Sequence, residues 1–157
     1  MAEIPSPGAR GGGWVALQFA LLLAILVLGV VGPGWGDARW GFKGVGVLLV
    51  FAGALVVAKA GRALGSGFTP FPKPEEEGVL IDTGPYAVVR HPVYSGGLLL
   101  TSGISLALSP WALAAAGALA VVWALKARVE EGFLHERYPG YAEYSSRVRY
   151  RLVPFVY

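Results

Sequence analysis

The sequence predicts an all-α integral membrane protein with about four transmembrane helices, a long cytoplasmic loop and a C-terminal helix. Of its 157 residues, 55% are hydrophobic and only 15% are charged, and the charged residues lie in blocks between apolar runs. Such runs are typical of membrane spans and not of a soluble core. The chain contains no cysteine, which excludes disulfides, thiolate catalysis and sulfur-ligated metals. Its length allows one compact unit.

Two apolar runs near the N-terminus predict two transmembrane helices within residues 14–61. Trp14 to Val31 is unbroken, and the tryptophan at its start suits the membrane interface. A signal peptide is the alternative, but the run is long for one and no A-x-A cleavage pattern follows it. Val45 to Ala60 forms the second run. Residues 1–13 are rich in proline and glycine, which predicts a disordered N-terminus.

Residues 62–157 form the remaining predicted region, which begins with a long polar loop over residues 62–91. Its prolines disfavour a regular helix, and its short apolar stretches suggest that it folds back onto the membrane helices. Pro92 to Lys126 then holds two apolar segments of about 17 residues, each slightly short of a bilayer core. Their break at Ser109–Pro110 predicts a tight helical hairpin, with a re-entrant hairpin as the alternative. A charged, helix-like stretch and a basic, aromatic tail follow.

The distribution of lysine and arginine predicts the orientation. With four spans, the N-terminus, the loop over residues 62–91 and the C-terminus share one side, which carries all of the 13 basic residues except two. Those two are Arg39 and Lys43. By the positive-inside rule, both termini and the loop are cytoplasmic. We therefore expect a multi-pass protein of the cell membrane.

The segment from Gly84 to Gly96, GPYAVVRHPVYSG, places polar and rigid residues directly before an apolar helix. Pro92 suits the first turn of that helix, which would fix Arg90 and His91 at its N-terminus. Backbone N–H groups and the helix dipole favour an anionic ligand group there. An interfacial belt of snorkelling side chains is the alternative, but it does not explain the positions of proline and glycine.

A second polar cluster, Lys126, Arg128, Glu130 and Glu131, follows the last apolar segment. Lys126 and Glu130 are four residues apart and so share a helix face. A solvated salt bridge at the helix exit is the simple interpretation. However, an acidic residue about one turn beyond a membrane span is usually retained with a partner, and Arg90 or the loop could supply it.

Several other kinds of site lack support in the sequence. Two isolated histidines, with no cysteine and no HExxH motif, argue against a metal site, and His135 is expected to be a solvated helix residue. The sequence contains no Gly-rich phosphate loop and no nucleophile elbow. Nucleic-acid binding has only the basic charge in its favour, and a membrane surface explains that charge.

Taken in order, these motifs resemble the isoprenylcysteine carboxyl methyltransferase family and, more widely, the membrane phospholipid methyltransferases. The resemblance rests on GPYxxxRHPxYxG at residues 84–96, EExxL at residues 130–134 and YPGYxxY at residues 138–144, and it covers residues 62–157. It implies S-adenosylmethionine as the methyl donor, held by a cytoplasmic cofactor-binding loop. The cofactor contacts that it implies are Gly78, Val79, Leu80, Ile81, Tyr86, Arg90, His91, Pro92, Val93, Tyr94 and Glu130.

The resemblance also bears on the methyl acceptor. The family's prenylcysteine enzymes place an arginine one helical turn before the first glutamate, against the substrate carboxylate. Here that position is Lys126, with Arg128 nearby. A lysine ammonium is a compact point charge, whereas an arginine guanidinium is planar and can bind a carboxylate through two parallel hydrogen bonds. The implied catalytic residues are Lys126, Arg128 and Glu130. The implied acceptor is a membrane lipid or a lipidated small molecule, and two cations at the mouth of the site favour an anionic or neutral group, such as an isoprenylcysteine-type carboxylate.

Two rival functions remain open. Sterol and steroid reductases have similar RHPxYxG-like segments and use NADPH, although they are generally longer. A four-helix membrane adaptor with an interfacial tail is the non-enzymatic alternative. Ligand stabilisation distinguishes the three, because S-adenosylhomocysteine should stabilise a methyltransferase, NADPH a reductase, and neither compound an adaptor.

Overall fold

All the regular structure in the computed structural model, which describes residues 11–74 and 78–156, is helical. The five α-helices are α1 (Gly12–Val31), α2 (Arg39–Leu64), α3 (Pro92–Leu108), α4 (Pro110–Arg137) and α5 (Tyr141–Arg147). Short 3-10 turns occur at Gly36–Ala38, Gly65–Gly67 and Gly84–Ala87. The prediction that the Pro-rich loop avoids regular α-helix is confirmed for its described residues after α2 ends.

Three of the described helical segments are long and apolar enough to cross a membrane: α1, α4 and the segment Gly36–Leu64, which contains α2. Helix α3 is also apolar but has 17 residues, or about 25 Å against a hydrocarbon core of about 30 Å. The prediction of an all-α membrane protein is confirmed. A complete fourth crossing by α3 stays a prediction.

The helices extend beyond the apolar runs that predict them. Helix α1 begins at Gly12, so the predicted disorder is wrong for residues 12 and 13, while residues 1–10 lie outside the described residues. Helix α4 continues without a break from its apolar part through the charged stretch to Arg137. Hydrophobicity indicates where contact with lipid ends, whereas helical hydrogen bonding propagates past that point residue by residue.

The break between α3 and α4 lies at Ser109, where the sequence predicts it. Ser109 has an extended backbone, and its hydroxyl accepts the N–H of Trp111 at 3.2 Å. Pro110 occupies the first helical position, where the missing N–H costs no helical hydrogen bond. The two helices therefore form the predicted hairpin.

Helices α2 and α3 pack with their backbones in close contact. A Cβ atom added at Gly53 would lie 2.5 Å from the carbonyl oxygen of Gly96. One added at Gly103 would lie 2.5 Å from the carbonyl oxygen of Gly46. Small residues allow this approach between membrane helices. The contact holds α3 against α2 along its length and so fixes the position of α3 relative to α2.

Helices α1 and α4 enclose the main apolar core. Ile25 of α1 packs against the alanine-rich face of α4. The buried α4 members of the core are Ala112, Ala115, Ala116, Leu119 and Trp123. Beyond this core, the loop after α2 and the chain after α5 meet at the start of α3.

Candidate functional site

The site forms where the segment before α3 meets the segment after α5. The backbone N–H of Arg90 donates to the carbonyl oxygen of Tyr150 at 2.9 Å, and that of His91 donates to Arg151 at 2.9 Å. Pro92 then begins α3. These two bonds fix the backbone before the helix, so both side chains enter the site from defined positions.

The Arg90 guanidinium joins three parts of the chain. Its Nε donates to Oε1 of Glu131 in α4 at 2.7 Å. Its Nη1 donates to the carbonyl oxygens of Val148 at 2.7 Å and Arg149 at 2.9 Å. The Arg90 and Glu131 side chains are 7% and 10% exposed. A buried ion pair needs such additional hydrogen bonds to offset its desolvation, and the two carbonyl oxygens provide them.

Glu131 accepts further hydrogen bonds within the protein. Its Oε2 accepts from Nε of Arg151 at 2.9 Å, and its Oε1 lies 3.3 Å from Nε2 of His91. Charge-assisted bonds of this kind are stronger than neutral ones. The charge of Glu131 is therefore used to connect α4 with the segments before α3 and after α5.

The neighbouring Glu130 has a different environment. Its Oε2 accepts from the hydroxyl of Tyr94 at 2.7 Å, and its Oε1 lies 3.8 Å from Nδ1 of His91. Its side chain is 25% exposed. The Tyr94 ring stacks between those of His91 and Trp123, with centroid distances of 5.6 and 5.8 Å. This stack holds the tyrosine hydroxyl in place beside the carboxylate.

A cleft of about 110 Å³, partly open to solvent, lies beside Glu130. The walls come from the loop after α2, the start of α3, the later part of α4 and α5. Most of the lining is apolar or aromatic. The aromatic lining residues are Phe68, Phe71, Tyr86, Tyr94, Tyr138, Tyr141 and Tyr144.

Three of these tyrosines are neutral phenols at physiological pH. Desolvation by burial is the largest cause that raises the pKa of Tyr86, Tyr141 and Tyr144 above the ordinary value. The hydroxyl of Tyr144 donates to the carbonyl oxygen of Tyr86 at 2.8 Å, which connects α5 to the loop. The cleft wall therefore offers aromatic faces and no phenolate charge from these residues.

The structure brings most of the predicted cofactor residues together around the cleft. Pro92 is the exception, because it is buried at the first position of α3 and does not line the cleft. The role of these residues as cofactor ligands stays a prediction. Those that line the cleft are Gly78, Val79, Leu80, Ile81, Tyr86, Arg90, His91, Val93, Tyr94 and Glu130.

Lys126 and Arg128 are not among the described residues that line the cleft. Arg128 is exposed on α4. Lys126 is 1% exposed, and its Nζ donates to Oε1 of Gln18 at 2.7 Å and to the carbonyl oxygen of Pro70 at 2.6 Å. The expectation of a Lys126 ammonium at the mouth of the site is wrong, because the ammonium finds its acceptors inside the protein. The catalytic roles of both residues stay predictions.

The pairing expected for Glu130 also differs from the structure. Arg90 pairs with Glu131 and not with Glu130, whose hydrogen-bond donor is Tyr94. Consecutive helical residues point about 100° apart, so only one of two adjacent glutamates can face Arg90. The sequence does not show which one, because that depends on the rotation of α4 about its own axis.

Two contributors to the site carry weak signals in the sequence. Glu131 belongs to the polar cluster but lacks the helical spacing from Lys126 that draws attention to Glu130. Gln18 is the polar residue within the apolar run Trp14–Val31. A polar side chain in a membrane helix usually has a partner, so Gln18 could have been identified as a candidate.

Comparison with known proteins now identifies the class of this protein. The profile described as "Phospholipid methyltransferase" matches residues 42–140, from the first turn of α2 to the residue before α5. The chain therefore belongs to the phospholipid methyltransferase family, a class of membrane methyltransferases. It is 32% identical over 117 residues to the cobalt-zinc-cadmium resistance protein CzcN of Cupriavidus metallidurans. That alignment covers 72% of this chain and 53% of the relative, so the chain spans about half the length of that curated protein.

The Arg90–Glu131 pair generates a prediction about stability. Glu131→Gln removes the carboxylate charge while keeping the side-chain shape, which leaves Arg90 buried without its counter-ion. We expect the free energy of unfolding to fall by roughly 3 kcal/mol, since breaking a buried pair usually costs that much. Thermal unfolding of the purified protein in detergent or nanodiscs measures the change.

Glu136→Gln is the matched control, because Glu136 is exposed on the same helix. Its effect should stay within about 0.5 kcal/mol. Equal stability of the two variants would contradict the structural importance of the pair.

Proposed function

We propose that this membrane methyltransferase uses S-adenosylmethionine and transfers its methyl group to a lipid-like acceptor. The family membership supports methyl transfer. The observation that supports the donor most directly is the partly exposed Glu130 carboxylate, set beside the start of α3 in an aromatic cleft. This arrangement offers an acceptor for an ammonium group and donors for a carboxylate a short distance apart.

The residues of the cleft fit the donor's chemical groups. An amino-acid ammonium needs a carboxylate, and Glu130 is held ready by Tyr94. An amino-acid carboxylate needs N–H donors. His91, the N-cap of α3, forms no side-chain bond to the first turn, and Val93 of that turn lines the cleft. Helix N-termini of this kind bind anions.

The remaining walls suit the rest of the donor. Aromatic faces attract cationic groups, and a sulfonium is a cation. The rings of Tyr86 and Phe71 line the cleft and provide flat apolar surfaces for a nucleoside base. All the side chains that would contact the donor therefore lie at one end of the helices.

The proposed mechanism relies on positioning. A sulfonium methyl group is already activated, so it needs neither a metal nor a covalent enzyme residue. The protein must hold donor and acceptor in line and exclude water. Glu130 and the first turn of α3 would orient the donor's amino-acid part. The aromatic side chains would exclude water around the methyl group.

We further propose that the acceptor enters sideways from the bilayer, between helices. A lipid-soluble acceptor explains why the cleft lies at the end of membrane helices. The predicted preference for a carboxylate loses its main support, because the Lys126 ammonium is engaged with Gln18 and Pro70. Both an isoprenylcysteine-type carboxylate and an amine headgroup belong among the acceptors to be tried.

A cytoplasmic cleft is the orientation that the Lys/Arg distribution supports. The chain has no cysteine, so single cysteines introduced by mutation report position cleanly. We expect Gly12→Cys and Ser146→Cys to resist an impermeant thiol reagent in intact cells. Gly34→Cys, in the exposed α1–α2 connection, should react and serves as the positive control. Labelling of the Gly12 or Ser146 variant in sealed cells would reject this orientation.

Binding of S-adenosylhomocysteine tests the proposed donor site. The wild-type protein should be thermally stabilised by S-adenosylhomocysteine and not by NADPH. Glu130→Gln and His91→Ala should each weaken binding roughly ten- to hundredfold in calorimetry, the loss expected for one charge-assisted hydrogen bond. Glu143→Gln, an exposed change on α5, is the control and should bind like the wild type.

The possible outcomes separate the three functions. Stabilisation by NADPH alone would support a reductase, and no response to either compound would support an adaptor. Unchanged affinity in both cleft variants, with a wild type that binds, would show that the donor lies elsewhere.

A further inference from the structure

A buried lysine connects the first helix to the wall of the cleft. Lys126 is 1% exposed, and lysine is rarely buried this completely unless it is paired. Its Nζ donates to the side chain of Gln18 in α1 and to the backbone of Pro70 in the loop. The lysine thus contacts two segments that are distant from it in the sequence.

The oxygen of Gln18 is a shared acceptor. Its Oε1 accepts from Nζ of Lys126 at 2.7 Å and from Nε1 of Trp123 at 3.1 Å. Gln18 is itself buried, with 8% exposure. It lies outside residues 42–140, the part of the chain that matches the family profile. Helix α1 therefore adds a polar contact that the matched segment does not contain.

Both ends of this network reach the back of the cleft. Pro70 lies between Thr69 and Phe71, which line the cleft, so its carbonyl group fixes the backbone of that wall. The ring of Trp123 stacks on Tyr94 at 5.8 Å, and Nζ of Lys126 lies 5.4 Å from the centre of the Tyr94 ring. The network touches the cleft walls from behind and does not line the cleft.

We propose that Gln18 and Lys126 are positioning residues, which hold the wall Phe68–Pro72 in place for the ligand of the cleft. Through them, helix α1 sets the position of this wall relative to Tyr94 and Glu130. The part that concerns ligand affinity rests on the proposed function. The predicted effect on the position of the wall rests only on the hydrogen bonds of Lys126.

The two polar residues should act as a unit. Removing only one leaves the other buried with an incomplete set of partners, which is costly, whereas replacing both with apolar groups of similar size is often nearly neutral for stability. The double variant should therefore recover part of the stability that the single variants lose. The carbonyl group of Pro70 still lacks its ammonium donor, and Nε1 of Trp123 still lacks its acceptor.

Four variants of the full-length protein in nanodiscs test the proposal: Gln18→Leu, Lys126→Met, the double variant and Gln18→Glu. The first readout is amide hydrogen exchange of residues 68–73, reported by the four non-proline residues Phe68, Thr69, Phe71 and Lys73, and it needs no ligand. The second is S-adenosylhomocysteine affinity. We expect faster exchange of this segment and roughly five- to tenfold weaker binding in the double variant and in both single variants. Gln18→Glu retains the acceptor oxygens and should behave like the wild type.

A matched control is Thr101→Val, because Thr101 is buried in α3 and its hydroxyl bonds within that helix to Gly97 at 2.8 Å. It should change neither readout.

Wild-type exchange of residues 68–73 in the double variant would overturn the proposal. So would loss of binding in Lys126→Met with full binding in Gln18→Leu, since that pattern indicates a direct ligand contact by the lysine. A wild type that does not bind S-adenosylhomocysteine would refute the proposed donor, and the exchange data would still decide the positioning role.

Discussion

The buried ion pair between Arg90 and Glu131 is the interaction on which the rest of the site depends. It connects the loop before α3 to α4, and through Nη1 of Arg90 it also holds the backbone at Val148 and Arg149. At the same end of the helices, Val148 packs with Tyr141 and Tyr144 in a small buried cluster. A buried charge without its partner is strongly unfavourable, so the pair specifies one arrangement of three polar segments at the end of an otherwise apolar bundle.

This constraint gives two adjacent glutamates different roles. The Glu131 carboxylate forms ion pairs with Arg90 and Arg151 inside the protein. Glu130, on a neighbouring face of α4, stays partly exposed to the cleft beside Tyr94. Under the proposed function, Glu130 can contact a ligand because Glu131 fixes the position of α4. In this view Glu130 is the binding group of the adjacent pair and Glu131 is the structural one. Substitution of Glu130 should mainly lower ligand affinity, and substitution of Glu131 should mainly lower stability.

Local signals in the sequence predict much of the fold but not its side-chain partners. Ser109–Pro110 predicts the hairpin because capping and proline act within a few residues, and the spacing of Arg90, His91 and Tyr94 predicts their gathering at a helix start. The partners of Lys126 and Arg90 could not be predicted, since they depend on helix rotation and on contacts with Gln18 and Glu131 over 108 and 41 positions. Lys126 shows the difference most clearly. Its position near the end of an apolar run is typical of a snorkelling lysine, yet tertiary packing turns it inward.

Methyl transfer in a reconstituted membrane tests the central claim most directly. The purified protein would be placed in liposomes with methyl-labelled S-adenosylmethionine, and the acceptors would be extracted membrane lipids or prenylcysteine analogues. We predict label in a lipid-soluble product that forms with the wild type and is lost with Glu130→Gln, although that variant remains folded. Absence of labelled lipid product with every acceptor, or equal labelling by the Glu130 variant, would contradict the proposal that this cleft transfers methyl groups to a lipid-like acceptor.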